Sequence, residues 1–166
     1  MRVIFLDIDG VLNLIPQGHD RYGGTFHQHL VDNLKRIIDE TNAKIVISST
    51  WRLSGLRVML SMWLDRNLPG EVIDITPSGY FNSDLGVSDD ENIMRGHEIQ
   101  YWLSQHPEVS NYVILDDDTD FLPNQLKNFV QTSENENHPD CIDVGYGLTK
   151  ICANKAINIL LDGEKN

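Results

Sequence analysis

Three short apolar runs in this 166-residue chain each end in side chains suited to phosphate chemistry. Arg2-Val-Ile-Phe-Leu leads into Asp7-Ile8-Asp9-Gly10, Ala43-Lys-Ile-Val-Ile into Ser48-Ser49-Thr50, and Asn111-Tyr-Val-Ile-Leu into Asp116-Asp117-Asp118. Taken singly, each is an ordinary strand running into a polar turn. Brought to one place, these carboxylates repel one another strongly unless a cation sits among them. Hard oxygen ligands with room for water and phosphate oxygens describe a Mg²⁺ site. A carboxylate nucleophile beside a second carboxyl is the equipment for covalent phosphoryl transfer with acid–base help. Gly10 allows the tight backbone path that such a turn needs.

The elements that would position these residues are legible from their patterning. All three runs are short, nearly continuous and β-branched, as in strands buried on both faces. Helical spacing appears from His29 to Thr41, Leu53 to Leu64, His97 to Leu103 and Leu148 to Leu161, the last with Thr149 as N-cap. Alternating strands and helices predict a parallel sheet covered on both faces, with ligands at the carboxyl ends of its strands. Glu71–Ile75 is a further short strand, and Ser133–Asp140 reads as an exposed loop. No repeat or linker divides the chain, so one domain over residues 1–166 is expected.

The chain carries 13 Lys+Arg against 25 Asp+Glu, a net charge of −12 that disfavours generic coating of nucleic acid. Acidic residues are dense from Ser83 to Glu91 and from Asp116 to Asp140. No apolar run is long enough for a membrane span, and Asp7 and Asp9 interrupt any signal-peptide core. A cytoplasmic protein starting at Met1 is expected. Cys141 and Cys152 are too few for a disulfide framework or a zinc site and read as reduced residues.

Asp7-Ile8-Asp9-Gly10-Val11-Leu12 resembles motif I of the haloacid dehalogenase superfamily, whose phosphatases carry Asp-x-Asp-Gly-(Val/Thr). Ser48 resembles motif II, Arg95 stands where motif III has its basic residue, and Asp116-Asp117 resembles the acidic motif IV. The motifs follow the family's order at separations of 41, 47 and 21 residues. Ile47 to Arg52, Arg95 to Leu103 and Tyr112 to Asp117 are also similar to a small domain of this superfamily found in RNA-repair proteins of the Swiss Army Knife type. The resemblance implies an α/β fold, one Rossmann-like three-layer domain with a central parallel sheet. It implies Asp7 as nucleophile and Asp9 as general acid and then base. Mg²⁺ would be held by Asp7, the main-chain carbonyl of Asp9 and a motif IV aspartate, Asp117 aligning best with Asp116 as fallback. Ser48 and Arg95 would bind the phosphoryl oxygens.

Several residues remain open between two readings. Ser49 belongs to the same polar strand end as Ser48 and is a candidate phosphate ligand. Arg52 is either a second phosphate clamp or a surface arginine. Trp51 and Trp102 read as core, and the His27-x-His29 pair as caps or surface residues. Asp118 and Asp120 are expected to hold the motif IV loop through its amides. Lys150 rivals Arg95 as the basic residue. Arg95 is expected to precede a helix starting near Gly96–His97, whose amides would share its anion.

Substrate-selecting caps in this superfamily follow motif I or lie between motifs II and III. Asn13–Phe26 reads as a loop containing His19 and Arg21, and Asn67–Asn92 is too short for a large cap. An open site with a minimal cap or none is expected. That favours a phosphatase of nucleotides or nucleic-acid terminal phosphates; the alternatives are another small phosphomonoester or a receiver-type phospho-acceptor module.

Overall fold

The computed structural model describes residues 1–14, 18–78, 94–132 and 147–162. Its first strand, β1 (Arg2–Leu6), shows why an uninterrupted apolar run was needed. Val3 and Phe5 join one buried cluster while Ile4 and Leu6 join another on the opposite face. Side chains alternate across a strand, so a central strand covered on both faces has no polar side to offer.

The other strands of the main sheet are β4 (Lys44–Ile47), β5 (Val72–Ile75), β6 (Asn111–Asp116) and β7 (Phe129–Gln131). All neighbours pair in parallel, in the order β5-β4-β1-β6-β7. Helices α1 (Gln28–Thr41), α2 (Leu56–Asp65) and α4 (Lys150–Leu161) pack Leu34, Met62 and Ala153 into the cluster of Ile4 and Leu6. On the other face α3 (Met94–Gln105) sets Ile99 and Trp102 against Val3 and Phe5, with the Phe5 and Trp102 rings edge to face at 5.4 Å. The architecture is the expected three-layer, Rossmann-like α/β arrangement. No helix among the described residues is long and apolar enough to cross a membrane.

Local chemistry explains where the elements depart from expectation. The helix expected over Leu53–Leu64 is two pieces, a 3₁₀ turn at Thr50–Ser54 and then α2, divided by Gly55 at φ +91°. A left-handed residue cannot continue a right-handed helix. Strand β7 has no signature in the sequence, because its three residues are too few to show alternation. The loop after motif I contains a small hairpin, β2 (His19–Asp20) with β3 (Gly23–Gly24). Cys152 is buried beneath α4's N-cap, Thr149, whose hydroxyl accepts from the Cys152 amide at 3.3 Å. Cys141, the Ser83–Glu91 acidic stretch, the Ser133–Asp140 loop and residues 79–92 of the possible cap segment lie outside the described residues.

Candidate active site

Sheet register assembles the site. Leu6 is level with Ile47 on β4 and with Leu115 on β6. The next residues, Asp7, Ser48 and Asp116, therefore emerge side by side at the C-terminal edge. Backbone bonds carry the ladder one step further: the Asp7 amide donates to Leu115 (2.9 Å) and the Ser48 amide to Leu6 (3.0 Å). Chain order runs outward in both directions from β1, which makes this edge the switch point where open parallel sheets bind ligands.

After Asp7 the chain folds tightly on itself. The amides of Val11, Leu12 and Asn13 all donate to the Ile8 carbonyl, at 3.2, 2.9 and 2.9 Å. Gly10 has φ +73°, and a Cβ there would lie 2.2 Å from Cγ of Asp117. Only glycine meets both demands. The turn brings Asn13 back to Asp9, whose Oδ1 accepts from Asn13 Nδ2 at 2.7 Å. Oδ2 of Asp9 accepts from the indole Nε1 of Trp51 at 2.8 Å. Trp51 is half-buried and packs against the core, as expected, and its N–H also holds Asp9, which the sequence does not indicate.

The remaining carboxylates gather elsewhere. Oxygens of Asp7, Asp116 and Asp117 lie within 4.8 Å of one another. Arg95 forms a short ion pair with Asp116, and its Nη1 lies 3.6 Å from Oδ1 of Asp7. Burial raises the Asp7 carboxyl to about 6, against the opposing pull of Arg95. Burial and then the charge of Asp7 raise Asp116 to about 8, and burial raises Asp117 too. Three carboxyls held above their ordinary range mark a cluster short of positive charge, and hard oxygens at this spacing fit Mg²⁺. The buried Ser48 Oγ has no hydrogen-bond partner among the described residues. A buried hydroxyl without a partner is costly, and a phosphoryl oxygen would satisfy it. The motif I and motif IV loops are tied together from the end of β7, where Gln131 Nε2 donates to the Asp117 carbonyl (3.0 Å) and Oγ1 of Thr132, the next residue, donates to that of Gly10 (2.8 Å). Neither residue was picked out from sequence, since the strand that presents them was not legible.

Other residues take different roles from those expected. Arg52 is 6% exposed, and its five N–H groups reach five acceptors: the carbonyls of Thr76, Ser48, Ser49 and Pro77, and Oε2 of Glu98 at 2.5 Å. A guanidinium has five donors, so none is left for phosphate. Arg52 instead shapes the strand end that carries Ser48. Ser49's hydroxyl bonds to Asp7, and its oxygen accepts from the Trp51 amide at 3.4 Å, so it holds the nucleophile candidate and caps the 3₁₀ turn. Helix α3 includes Arg95 in its first turn. The amides of Arg95 and Gly96 donate to the Asp120 carboxylate (3.2 Å) and carbonyl (2.9 Å). Those amides are engaged and do not face a shared anion; Asp120 secures α3 rather than its own loop. In that loop the Asp118 amide donates to Oδ1 of Asp116 at 3.0 Å. Trp102 lies in the core, Lys150 is exposed on α4, and His27 is the backbone N-cap of α1 with its ring 5.8 Å from that of His29. His19 is exposed, and Arg21 pairs with Asp65 on α2.

These raised carboxyls give a thermal test. The folded metal-free protein keeps protons on Asp7 and Asp116 at a pH where the unfolded chain has released them. Their contribution to stability is therefore largest at acid pH and is lost as pH rises through about 6 to 8. A divalent cation needs the ionised form and should reverse that loss. The rise in Tm on adding Mg²⁺ is expected to be larger at pH 8 than at pH 5, at ~2–4 °C per kcal/mol for a chain of this size. Melts in EDTA and in MgCl₂ measure it; an equal rise at both pH values would remove the cluster as the binding site.

A search of curated proteins finds no match. The model of one family, the HAD domain in Swiss Army Knife RNA repair proteins, matches residues 3–137. The match takes in Asp7, Ser48, Arg95 and Asp116, the residues that sheet register and the first turn of α3 bring to one edge. By that match the chain belongs to the HAD domain family of the Swiss Army Knife RNA repair proteins.

Proposed function

We propose that the protein is a Mg²⁺-dependent phosphomonoester hydrolase that works through an aspartyl-phosphate, on a nucleotide or a nucleic-acid terminal phosphate. Family membership supports a phosphatase-type hydrolase. The observation that carries the finer reading is the division of the carboxylates. Asp7, Asp116 and Asp117 cluster beside Arg95, whereas Asp9 is held apart by Trp51 and Asn13. One group of acids suits an ion and a nucleophile, and the separate one suits proton transfer.

In this mechanism an Asp7 oxygen attacks phosphorus as the bond to the leaving oxygen breaks, and Asp9 gives that oxygen its proton. Water then attacks phosphorus, Asp9 takes the proton, and Asp7 is released with inorganic phosphate. Ser48 and Arg95 hold phosphoryl oxygens, Arg95 as a fork. Asp7, Asp117 and the Asp9 carbonyl would hold Mg²⁺, which when bound supplies charge neutralisation to the transferring group. We assign Asp117 over Asp116 because Asp116 is fully buried, with one oxygen on Arg95 and the other on the Asp118 amide.

The receiver-type reading is disfavoured by topology. The third strand of the main sheet in chain order, β5, lies at the sheet edge, and its one carboxylate, Asp74, accepts from the indole N–H of Trp102 at 2.7 Å. A phosphate-release screen over nucleotides, 3′- and 5′-phosphorylated oligonucleotides and sugar phosphates, with and without Mg²⁺, tests the proposal. Turnover without metal, or on none of these, would overturn it.

Asp9→Asn carries a separate expectation. A proton donor matters most when the leaving oxygen is basic, so kcat/KM should fall by roughly 10²–10³-fold on an alkyl phosphate and far less on an aryl phosphate. Equal losses on both would remove Asp9 from the acid role.

A further inference from the structure

Trp51 lies at the meeting point of the β2–β3 hairpin, α2 and the motif I turn, and its only polar atom in the side chain is turned to Asp9. Its indole N–H reaches Oδ2 while Asn13 reaches Oδ1, so each carboxylate oxygen has its own donor. Two donors on opposite oxygens fix the plane of a carboxyl group as well as its place. The ring itself is caged. Phe26 packs on it at 5.8 Å between centroids, and the Arg66 guanidinium stands 5.6 Å from its centre. A Cβ at Gly23 would come within 3.2 Å of it. Arg66 is in turn held by Asp20 of the hairpin through two bonds of 2.8 Å, and it lies 4.4 Å from the Phe26 ring centre. The indole is therefore set by three separate elements before any substrate arrives.

We propose that Trp51 and Asn13 are positioning residues for Asp9, fixing its carboxyl group so that it can exchange a proton with the leaving oxygen. The proposal rests on the phosphatase reading above. Neither residue touches the transferring group; each acts through Asp9. The hairpin in the loop after motif I serves to cage the indole. Ring packing alone would not need the N–H bond, and that difference makes the role testable.

Trp51→Phe keeps an aromatic ring in the cage and removes the donor. Asn13→Ala removes the other donor and leaves the indole. Misplacing a catalytic group by about 1 Å can cost ~10²-fold, so each variant should lose ~10–100-fold in kcat/KM on an alkyl phosphate. On an aryl phosphate, whose leaving oxygen needs little protonation, the loss should stay within about threefold. In the Asp9→Asn background Trp51→Phe should add less than about twofold, because its partner is already disabled. Equal losses on the two substrates, or losses that multiply in the double variant, would overturn the positioning role and leave Trp51 as packing. If Trp51→Phe does not fold, Asn13→Ala is held to the same outcomes. Asp9→Asn biased by leaving group with both single variants unbiased overturns this proposal alone. An unbiased Asp9→Asn overturns the acid role on which it rests.

Discussion

Replacing Asp7 with Asn is expected to reduce phosphate release by at least ~10⁴-fold, the scale seen when a catalytic nucleophile is removed. The amide has nearly the same shape, so the β1 edge should persist, but it offers no carboxylate to attack phosphorus. The same change removes one of three clustered carboxylates whose oxygens lie within 4.8 Å. Asp7 is buried and its charge raises the pKa of Asp116, so its loss should relieve repulsion in the metal-free protein. A Tm in EDTA at pH 8 equal to or slightly above wild type is therefore expected, together with a weakened response to Mg²⁺. Phosphate-release assays and melts on one preparation separate the two effects. Turnover equal to wild type would end the assignment of Asp7 as nucleophile.

Arg95→Ala should be the most damaging change away from motif I, in both activity and stability. Its guanidinium neutralises a buried carboxylate and stands beside Asp7. Loss of a charged donor to the phosphoryl group is worth ~3–4 kcal/mol of transition-state binding, or roughly 10²–10³ in kcat/KM. Breaking a buried pair by removing one partner costs a further ~3–5 kcal/mol of folding stability. Part of that should be recovered by proton uptake at Asp7: the charge of Arg95 pulls both the Asp7 and the Asp116 carboxyl down, so without it both rise further and hold their protons to higher pH. The variant should thus be more destabilised at pH 8 than at pH 6. Arg95→Lys should restore part of the activity, since an ammonium offers a point charge in place of a fork. Lys150→Ala should match wild type, because that side chain is exposed on α4. A large loss for Lys150→Ala with Arg95→Ala intact would exchange the two roles.

How much of this was legible in advance follows the range of the interactions. Strands β1, β4 and β6 and the polar residues at their ends depend on composition within six or seven neighbouring residues, and local patterning reveals them. The order of motifs then suffices to place the chain in a family whose model matches residues 3–137. Helices α1 and α4 are likewise local, set by 3.6-residue spacing and, for α4, by the Thr149 cap.

Only the tertiary structure decided which polar groups meet. In sequence Arg52 reads as either a phosphate clamp beside Ser48 or a surface arginine, but Glu98, 46 residues away, and the residues after β5 take its donors and bury it. Trp51 reads as core because an indole is large and apolar, yet its single N–H found Asp9, 42 residues distant, and no local pattern encodes that bond. Asp120 and the start of α3 pair across 25 residues. Strand β7, only three residues long, is recognisable once β6 supplies its hydrogen bonds. Apolar periodicity is written along the chain because burial acts on each residue by itself. Hydrogen bonds and ion pairs act on pairs, and the fold chooses the pairs.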